Sequence, residues 1–233
     1  MSEFDEFAEE YEQILSEIST RSGFDIPYFH EYKIKEIYNF VKSKRWLDKP
    51  IDFLNFGCGI GQSEKFIRKY FRYSNIYSVD ISEKSIEIAK QRNKEIGNIH
   101  FKTFDGYGIP FENRFDIIFV ANVFHHIPPE KHMAILENFC QKLKDRGYLF
   151  IFEHNPFNPM TVRIVKSCKL DQDANLLNPI YTNKILAKSG FKWRRIGFKI
   201  FFPKSLWFLI PLEKYLTKLP LGGQYYFVAK RNI

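Results

Sequence analysis

Long apolar runs and cysteine are both scarce in this sequence. No stretch of about 18 or more consecutive apolar residues occurs, so we expect no helix that spans a membrane. The three cysteines, at positions 58, 140 and 168, are too few and too scattered for a disulfide framework or a zinc site. The opening residues 1–13 are acidic and lack the basic-then-apolar layout of a signal peptide. We therefore expect a reduced, cytoplasmic protein.

Acidic residues are almost absent from the end of the chain. Residues 191–233 hold nine Lys and Arg but a single acid, Glu213, so the whole net charge of +8 lies in this segment. Residues 1–20 carry seven acids and no base. The basic end therefore either docks on the acidic end or faces an anionic partner.

Strand-like apolar runs alternate with amphipathic stretches after Pro50. Seven segments have strand character, in the ranges 51–56, 75–81, 98–104, 115–123, 148–154, 191–202 and 224–231. Repeated strand–helix units predict an α/β fold with a doubly wound, mostly parallel seven-stranded sheet. Ligands of such sheets bind outside the carboxyl ends of the strands.

Three glycines at every second position follow the first strand: Gly57, Gly59 and Gly61. A nucleoside-triphosphate loop would need a following Lys-Ser or Lys-Thr, which is missing. A dinucleotide loop would need a glycine where Gln62 stands, which counts against NAD without excluding it. A third interpretation is S-adenosylmethionine, whose methionyl tail needs a close backbone approach. Asp80, at the end of the second strand, suits a ribose in either of the last two interpretations.

The third strand distinguishes these interpretations, because it ends at Phe104-Asp105-Gly106 and is followed by "IPFENRFDIIFVANVFHHIPPE". Together with the glycine loop and Asp80, these residues resemble the class I S-adenosylmethionine-dependent methyltransferases, particularly the group that includes ubiquinone and menaquinone methyltransferases. The resemblance covers about residues 40–155. It implies S-adenosylmethionine as cofactor and a Rossmann-like methyltransferase fold.

The resemblance also implies a role for each matching residue. The glycine loop would wrap the methionyl portion, Asp80 would bind the ribose diol, and Ile81 would pack on the adenine. Asp105 would accept from the adenine amino group. The other residues implied to contact the cofactor are Gly106, which offers backbone near the adenine, Asn122, which borders the sulfonium, and Tyr11, on an N-terminal helix that closes over the methionyl tail.

One position departs from the family pattern. The family usually begins its glycine motif with an acid, whereas this chain has Asn55. An amide still accepts a hydrogen bond but brings no charge to the ammonium of the ligand. We therefore expect weaker cofactor binding rather than none.

Methyl transfer is an in-line displacement, and a base is needed only for a hydroxyl or an acidic carbon. His126, after the fourth strand, and His154, after the fifth, are the candidate catalytic residues. Since neighbouring residues of an extended segment point oppositely, we expect only one of His125 and His126 to face the site. A metal site built from these two and His132 lacks a convincing ligand set, so we predict no metal.

The acceptor is less well defined by the sequence. The motifs typical of nucleic-acid base methylation are missing, so we expect a small-molecule or lipid-linked acceptor, methylated on oxygen. The basic, aromatic segment 201–221 suggests peripheral contact with an anionic membrane. The rival functions are an NAD(P)-dependent oxidoreductase and a non-catalytic cofactor-binding pseudoenzyme.

The prediction for the whole chain is a single methyltransferase domain over residues 1–233. It comprises an N-terminal helical lid (1–45), a cofactor-binding core (46–155), and acceptor-side and C-terminal elements (156–233). Two segments rich in proline and apolar residues, 154–179 and 203–223, look like insertions that cover the mouth of the site.

Overall fold

One sheet organises the described part of the chain, which in this computed structural model comprises residues 14, 23–44, 49–106, 108–171 and 174–231. Its strands are β1 Asp52–Phe56, β2 Asn75–Asp80, β3 Ile99–Thr103, β4 Phe115–Ala121, β5 Leu143–His154, β6 Trp193–Lys199 and β7 Gln224–Lys230. They lie in the order β3-β2-β1-β4-β5-β7-β6, and β7 runs antiparallel to both of its neighbours. The predicted doubly wound, mostly parallel seven-stranded sheet is confirmed.

Helices connect the strands and cover both faces of the sheet. Those within the described residues are α1 Ile26–Lys42, α2 Glu64–Tyr70, α3 Glu83–Arg92, α4 Pro129–Lys142, α5 Pro159–Lys166, α6 Pro179–Lys188 and the single turn α7 Glu213–Leu216. Three 3-10 segments add to them: Phe124–His126, Lys169–Asp171 and Lys204–Leu212. Among the helices in these ranges, none combines the length and the apolar character needed to cross a membrane.

Polar caps determine where several of these helices begin. Ser82, Asn158 and Asn178 each accept a hydrogen bond from a backbone N–H in the first turn that follows. Pro159 and Pro179 occupy the first helical position, where no N–H is needed. As a result α6 begins at Pro179 rather than at about residue 183, where the sequence analysis places its start.

The end of α3 also differs from the prediction. The helix ends at Arg92, five residues before Gly97, because the next residue turns its side chain back onto the backbone. Asn93 Nδ2 donates to the carbonyls of Ala89 and Gly61, at 2.9 and 2.8 Å. This contact ties the helix to the loop that follows β1.

Alternating side chains of the strands feed two apolar cores. Leu54 and Phe56 of β1 lie in the core on one face, whereas Phe53 lies in the core on the other. The second core also holds Ile34, Ile37 and Val41 of α1. Two polar contacts fix α1 to the far strands: Glu36 pairs with Lys199 of β6 at 2.8 Å, and Tyr32 donates to Gln224 of β7. Residues 26–42 thus form a helix packed against the sheet, and its first half reaches the edge where the strands end.

Candidate active site at the carboxyl edge of the sheet

A cavity of about 400 Å³ opens where β1, β2, β4 and β5 end. The predicted site residues that line it are Gly57, Gly59, Asp80, Ile81, Gly106, Asn122, His126 and His154. Gly61 and Asp105 are not among the lining residues. Tyr11 lies outside the described residues, so its predicted role stays a prediction.

The glycine loop keeps the backbone at the cavity wall. Gly57 has a φ of +73°, and a Cβ there would lie 2.3 Å from Cγ2 of Val123. Gly61 also has a φ of +73°, but a Cβ there would lie 2.8 Å from the Cβ of Ala89 in α3. Gly57 therefore allows the close approach at the cavity, whereas Gly61 allows the loop to pack on a helix.

Asp80 is held in place by two backbone groups. Its Oδ2 accepts from the N–H of Gly59 at 2.8 Å, and its Oδ1 accepts from the N–H of Ser82 at 3.0 Å. The carboxylate thus joins the glycine loop to the start of α3. Each of its oxygens can accept more than one hydrogen bond, so the position suits the hydroxyls of a ribose.

Apolar groups form the wall beyond Asp80. Ile81 is 43% exposed and lies against Gly106, where an added Cβ would be 3.8 Å from the Ile81 Cδ1. Phe104 completes this part of the lining. Ile81, Gly106 and Phe104 thus form an apolar wall, and the predicted adenine contact there stays a prediction. The neighbouring Asp105 is exposed beside this wall rather than within it.

Asn122 follows β4 in a backbone conformation that few residues adopt. Its φ is +56°, and its N–H donates to the carbonyl of Phe152 in β5 at 2.8 Å. The side-chain Oδ1 is buried and has no hydrogen-bond partner among the described residues. Asparagine tolerates the left-handed conformation better than most residues. Asn122 lines the cavity, and its predicted place beside the sulfonium stays a prediction.

A buried carboxyl group lies beside Asn55. Asn55 Nδ2 donates to Glu64 Oε1 at 2.8 Å, and the hydroxyl of Ser78 donates to the same oxygen at 2.8 Å. Burial raises the pKa of Glu64, while the two donors oppose the rise. Because the amide nitrogen points to Glu64, the amide oxygen of Asn55 is left to face other groups, and Asn55 lines the cavity. Asn55 therefore contacts a buried acid nine residues later, and that acid is not among the residues that line the cavity.

A second buried carboxylate, Glu153, accepts hydrogen bonds from the turn after β4. Its Oε1 accepts from the N–H groups of Val123 and Phe124, at 3.2 and 2.9 Å, and its Oε2 lies 2.5 Å from His125 Nδ1. Burial disfavours the charged imidazole, but Glu153 and Asp171 outweigh burial and raise the pKa of His125 to about 9. Burial likewise opposes ionisation of Glu153, but the charge of His125 outweighs it and lowers the pKa of that carboxyl. The pair is therefore ionised at neutral pH.

Asp171 links the two adjacent histidines. Its Oδ1 lies 3.2 Å from His126 Nε2 and 3.4 Å from His125 Nε2. Burial opposes its ionisation, but both histidines outweigh burial and lower its pKa. His126 lines the cavity and His125 does not, although residues 124–126 form a 3-10 turn rather than the extended segment assumed in the sequence analysis.

His154 occupies the end of β5 on the same wall. Burial, together with the charged His125 ring, lowers the pKa of His154 to about 4. The ring is therefore neutral at physiological pH. A neutral imidazole at this point accepts or donates one hydrogen bond to an acceptor molecule without adding charge.

One group among the described residues has the ligand types of a metal site. Ligand atoms of His125, His154 and Asp171 lie within 4.8 Å of one another. The set considered in the sequence analysis differs, because His132 Nε2 faces the carbonyls of Phe124 and Ile127, at 3.0 and 2.8 Å. The protonated His125 already supplies positive charge between two carboxylates. The prediction of no metal stays a prediction.

Sequence reasoning missed several residues of the wall. Lys33 and His30 of α1 line the cavity, as does Asp171 of the later segment. The sequence does contain a signal for Lys33, because this lysine lies at helical spacing from Ile26, Phe29 and Ile37, which are apolar. Asp171 carried none, since the segment 154–179 has no motif.

The two predicted insertions differ in what they cover. The first contributes α5 and the turn after it, with the lining residues Thr161, Ile164, Val165, Cys168, Leu170 and Asp171. The second contributes only Gly223 to the described lining. Its other residues instead form an exposed surface in which Trp207 is 70% and Tyr215 is 73% exposed. The expectation of a cover over the cavity thus agrees with the position of the first segment and not with that of the second.

Known methyltransferases are similar to the part of the chain that contains many of these residues. A family model described as a methyltransferase domain matches residues 53–147. Demethylmenaquinone methyltransferase of Staphylococcus saprophyticus is 25% identical over 175 residues, which are 69% of this chain and 72% of that protein. Malonyl-[acyl-carrier protein] O-methyltransferase of Bacillus cereus is 30% identical over 112 residues, 47% of this chain and 40% of that protein.

Solved structures share the fold at low sequence identity. A SAM-dependent methyltransferase of Thermotoga maritima has a TM-score of 0.67 and 15% identity, with 98% of each chain covered. Magnesium protoporphyrin IX methyltransferase of Synechocystis, with bound SAH, has a TM-score of 0.61 and 19% identity, with 87% of this chain and 84% of that chain covered. With the family match on the glycine loop and on the strands around it, the chain is a class I S-adenosylmethionine-dependent methyltransferase.

Proposed function

We propose that the protein transfers the methyl group of S-adenosylmethionine to an oxygen of a small-molecule or lipid-linked acceptor, with His126 as general base. The observation that carries this proposal is the His126–Asp171 pair in the cavity wall. The acid keeps the imidazole oriented, and with Nε2 turned to Asp171 the ring exchanges a proton with the acceptor through Nδ1. General-base catalysis of this kind contributes roughly 10²–10⁴-fold.

In this proposal one half of the cavity binds the cofactor and the other half binds the acceptor. Asp80, Ile81 and the glycine loop would hold the cofactor, with Asn122 beside the sulfonium. His126 and His154 would face the acceptor hydroxyl, His126 removing its proton and the neutral His154 orienting it. The mostly apolar lining excludes water, which favours displacement at a sulfonium.

Relatives support a small acceptor without naming it. The similar proteins include methyltransferases of demethylmenaquinone and of a malonyl acyl-carrier protein, and a structural neighbour methylates magnesium protoporphyrin IX. We propose the same broad class here. The NAD(P)-dependent oxidoreductase is disfavoured, since the family model and the relatives are methyltransferases.

The surface built by segment 203–221 supports a lipid-linked acceptor. It exposes Trp207, Phe208, Tyr215 and Leu221 next to Lys204, Lys214 and Lys218. Aromatic and aliphatic groups interleaved with lysine favour an anionic lipid surface. Membrane contact is thus proposed as the means by which the enzyme reaches such an acceptor.

The test of the reaction uses matched pairs of acceptors. A panel of phenols, catechols and carboxylic acids is assayed beside amines and thiols of the same carbon skeletons, and formation of S-adenosylhomocysteine is measured. We expect turnover on an oxygen acceptor, a loss of 10²–10⁴-fold in kcat for His126→Gln, and a smaller loss for Asp171→Asn.

The controls separate catalysis from binding and folding. His100→Gln, on β3 and away from the cavity, should retain wild-type kcat, and the affinity of His126→Gln for S-adenosylhomocysteine should be unchanged. Turnover confined to amines would overturn the proposal of O-methylation. An unchanged kcat in His126→Gln would remove His126 as the base.

A further inference from the structure

Lys33 is a buried cation with no polar partner in the part of the chain that the structure describes. It lies in the middle of α1, is 4% exposed, and lines the cavity. No hydrogen bond or ion pair joins its ammonium group to any residue that the structure describes, and its Nζ lies 5.9 Å from the centroid of the Tyr32 ring. Lysine is rarely buried unless it is paired, because removing an ammonium ion from water is costly.

The nearby carboxylate does not neutralise Lys33. Glu153 attracts the lysine, yet its Oε1 accepts two backbone N–H groups and its Oε2 pairs with His125. Burial lowers the pKa of Lys33 to about 8, and the attraction of Glu153 limits the fall. The group is therefore still mostly charged at neutral pH.

Lys33 faces the same cavity as residues of the glycine loop and of the end of β5. One turn earlier on α1, His30 Nδ1 lies 2.9 Å from Ser63 Oγ, just after the glycine loop. The charge of Lys33 also contributes to the lowered pKa of His154 at the end of β5. Lys33 thus lines one cavity with Ser63, which follows the glycine loop, and with His154.

We infer that the Lys33 ammonium is an anion subsite of the cavity, which binds a carboxylate of a ligand. Two ligands offer this chemistry: the methionyl carboxylate of the cofactor, and an acidic group on the acceptor. A bound carboxylate would supply the missing counter-charge, so binding would be stronger than for a solvent-exposed pair. The acceptor case rests on the proposed function, and the cofactor case does not.

The experiment compares ligands that differ only in the carboxylate. S-adenosylhomocysteine and its decarboxylated analogue, which keeps the ammonium, are titrated by calorimetry into wild type and Lys33→Met. Acetate is then titrated into the complex with saturating S-adenosylhomocysteine, with thermal stability as readout. Lys35→Met, an exposed lysine on the same helix, is the matched control.

Two results support the inference and distinguish the source of the anion. If the cofactor carboxylate binds Lys33, Lys33→Met weakens S-adenosylhomocysteine by roughly 10- to 100-fold and leaves the decarboxylated analogue unchanged. If the acceptor supplies the anion, the affinity for S-adenosylhomocysteine is unchanged, and stabilisation of its complex by acetate is lost in Lys33→Met. Lys35→Met should resemble wild type throughout.

A third result overturns it. If Lys33→Met binds S-adenosylhomocysteine and acetate as wild type does, Lys33 is not an anion subsite. Loss of folding does not confuse this outcome, because replacing an unpaired buried charge by methionine should leave thermal stability equal or raise it. These are binding measurements, so failure of the proposed His126 chemistry, which is read from turnover, remains a separate result.

Discussion

The two halves of the cavity differ in the groups that form them. On the cofactor half, the principal contacts run between backbone N–H groups and one carboxylate, Asp80, with glycines allowing the close approach. Beside the half proposed for the acceptor lies a network of buried charges, formed by His125, Glu153 and Asp171 with Lys33 nearby, of which Asp171 and Lys33 line the cavity. Contacts made by backbone N–H groups do not change with pH. The interactions of buried charges, in contrast, change when one of the groups gains or loses a proton or when a charged ligand binds. We therefore expect the acceptor half to be the sensitive one.

Removing a charge from the acceptor half should have the largest effect on stability. Glu153→Gln leaves the imidazolium of His125 buried with only Asp171 nearby, and loss of one partner from a buried pair costs about 3–5 kcal/mol. Urea denaturation would measure this loss. The double variant Glu153→Gln/His125→Gln should recover part of it, and a cost below about 1 kcal/mol for the single change would show that the pair is not ionised.

On the cofactor half, the corresponding change is Asp80→Ala. It removes an acceptor of two backbone N–H groups and the proposed ribose contact, so we expect S-adenosylhomocysteine to bind about 100-fold more weakly, since hydrogen bonds to charged groups contribute about 1.5–3 kcal/mol each. Calorimetric titration checks it, with NADH as a control ligand. Asp105→Ala is the matched variant and should cost less, because Asp105 is exposed beside the wall. A larger loss for Asp105→Ala would reverse that ranking.

Restoring the family's acid should be harmful in this chain. Asn55→Asp would place a second carboxyl group against Glu64, where Oε1 is now 2.8 Å from the amide nitrogen. Two carboxyl groups at that distance compete for one proton, and we expect a loss of about 1–3 kcal/mol in unfolding free energy at pH 7.

The reciprocal exchange tests this reasoning. Asn55→Asp/Glu64→Gln keeps one acid and one amide in contact, so it should recover most of the stability and bind S-adenosylhomocysteine at least as tightly as wild type. If Asn55→Asp alone were as stable as wild type, the contact with Glu64 would be unimportant and the family position would have lost its acid without replacement.

The pH dependence of stability should come from the acceptor half. The folded-state pKa of His125 is raised to about 9 from 6.5, so its contribution is complete below pH 6.5 and is lost as the pH rises toward 9. We expect the contribution of His125 to decrease by about 1–2 kcal/mol between pH 6.5 and 8. His30, His154 and Lys33, whose pKa values are lowered by burial, act in the opposite direction in this window, because histidine in the unfolded chain is half protonated at pH 6.5 and folded Lys33 is half deprotonated at about pH 8. Denaturation series at several pH values should therefore show a difference in stability between wild type and His125→Gln that shrinks by this amount as the pH rises.

The smallest effect on stability is expected on the surface of segment 203–221. Trp207→Ala changes an exposed side chain, so the free energy of unfolding should stay within about 0.5 kcal/mol of wild type. Sedimentation with anionic vesicles should nevertheless decrease, more so with Lys204 and Lys214 also replaced by Gln. Equal sedimentation of wild type and variants would exclude this surface as the membrane contact.

The same contrast explains what could be predicted from the sequence. The cofactor half lies within one continuous run, where glycine spacing and strand-end acids have direct physical meaning; six of the nine residues predicted to contact the cofactor line the cavity. Gly61 packs against α3 and does not line the cavity, and its predicted contact with the methionyl portion stays a prediction, because spacing alone does not distinguish a glycine beside a ligand from one beside a helix.

The acceptor half was predicted less completely because its residues come from distant segments. Lys33 comes from the first described helix and Asp171 from an irregular segment, and only the tertiary fold brings them to the histidines. Buried charges were also invisible to sequence patterns, since His125 and Glu153 look like ordinary strand-end residues. The pairing of Asn55 with Glu64 required knowledge that α2 packs its first turn against β1.

The direction of β7 has a consequence for how such an enzyme changes its substrate. Because β7 runs against its neighbours, its first residues rather than its last lie at the cavity, and the preceding loop ends there at Gly223. The side-chain amides of Asn155 and Asn158 donate hydrogen bonds to the carbonyls of residues 220–222 in that loop, at 2.7–3.0 Å. A loop held at its exit can lengthen or shorten without disturbing the register of the parallel strands. The exposed surface of segment 203–223, by which we propose that the enzyme reaches a lipid-linked acceptor, can thus change while the glycine loop and Asp80 stay as they are.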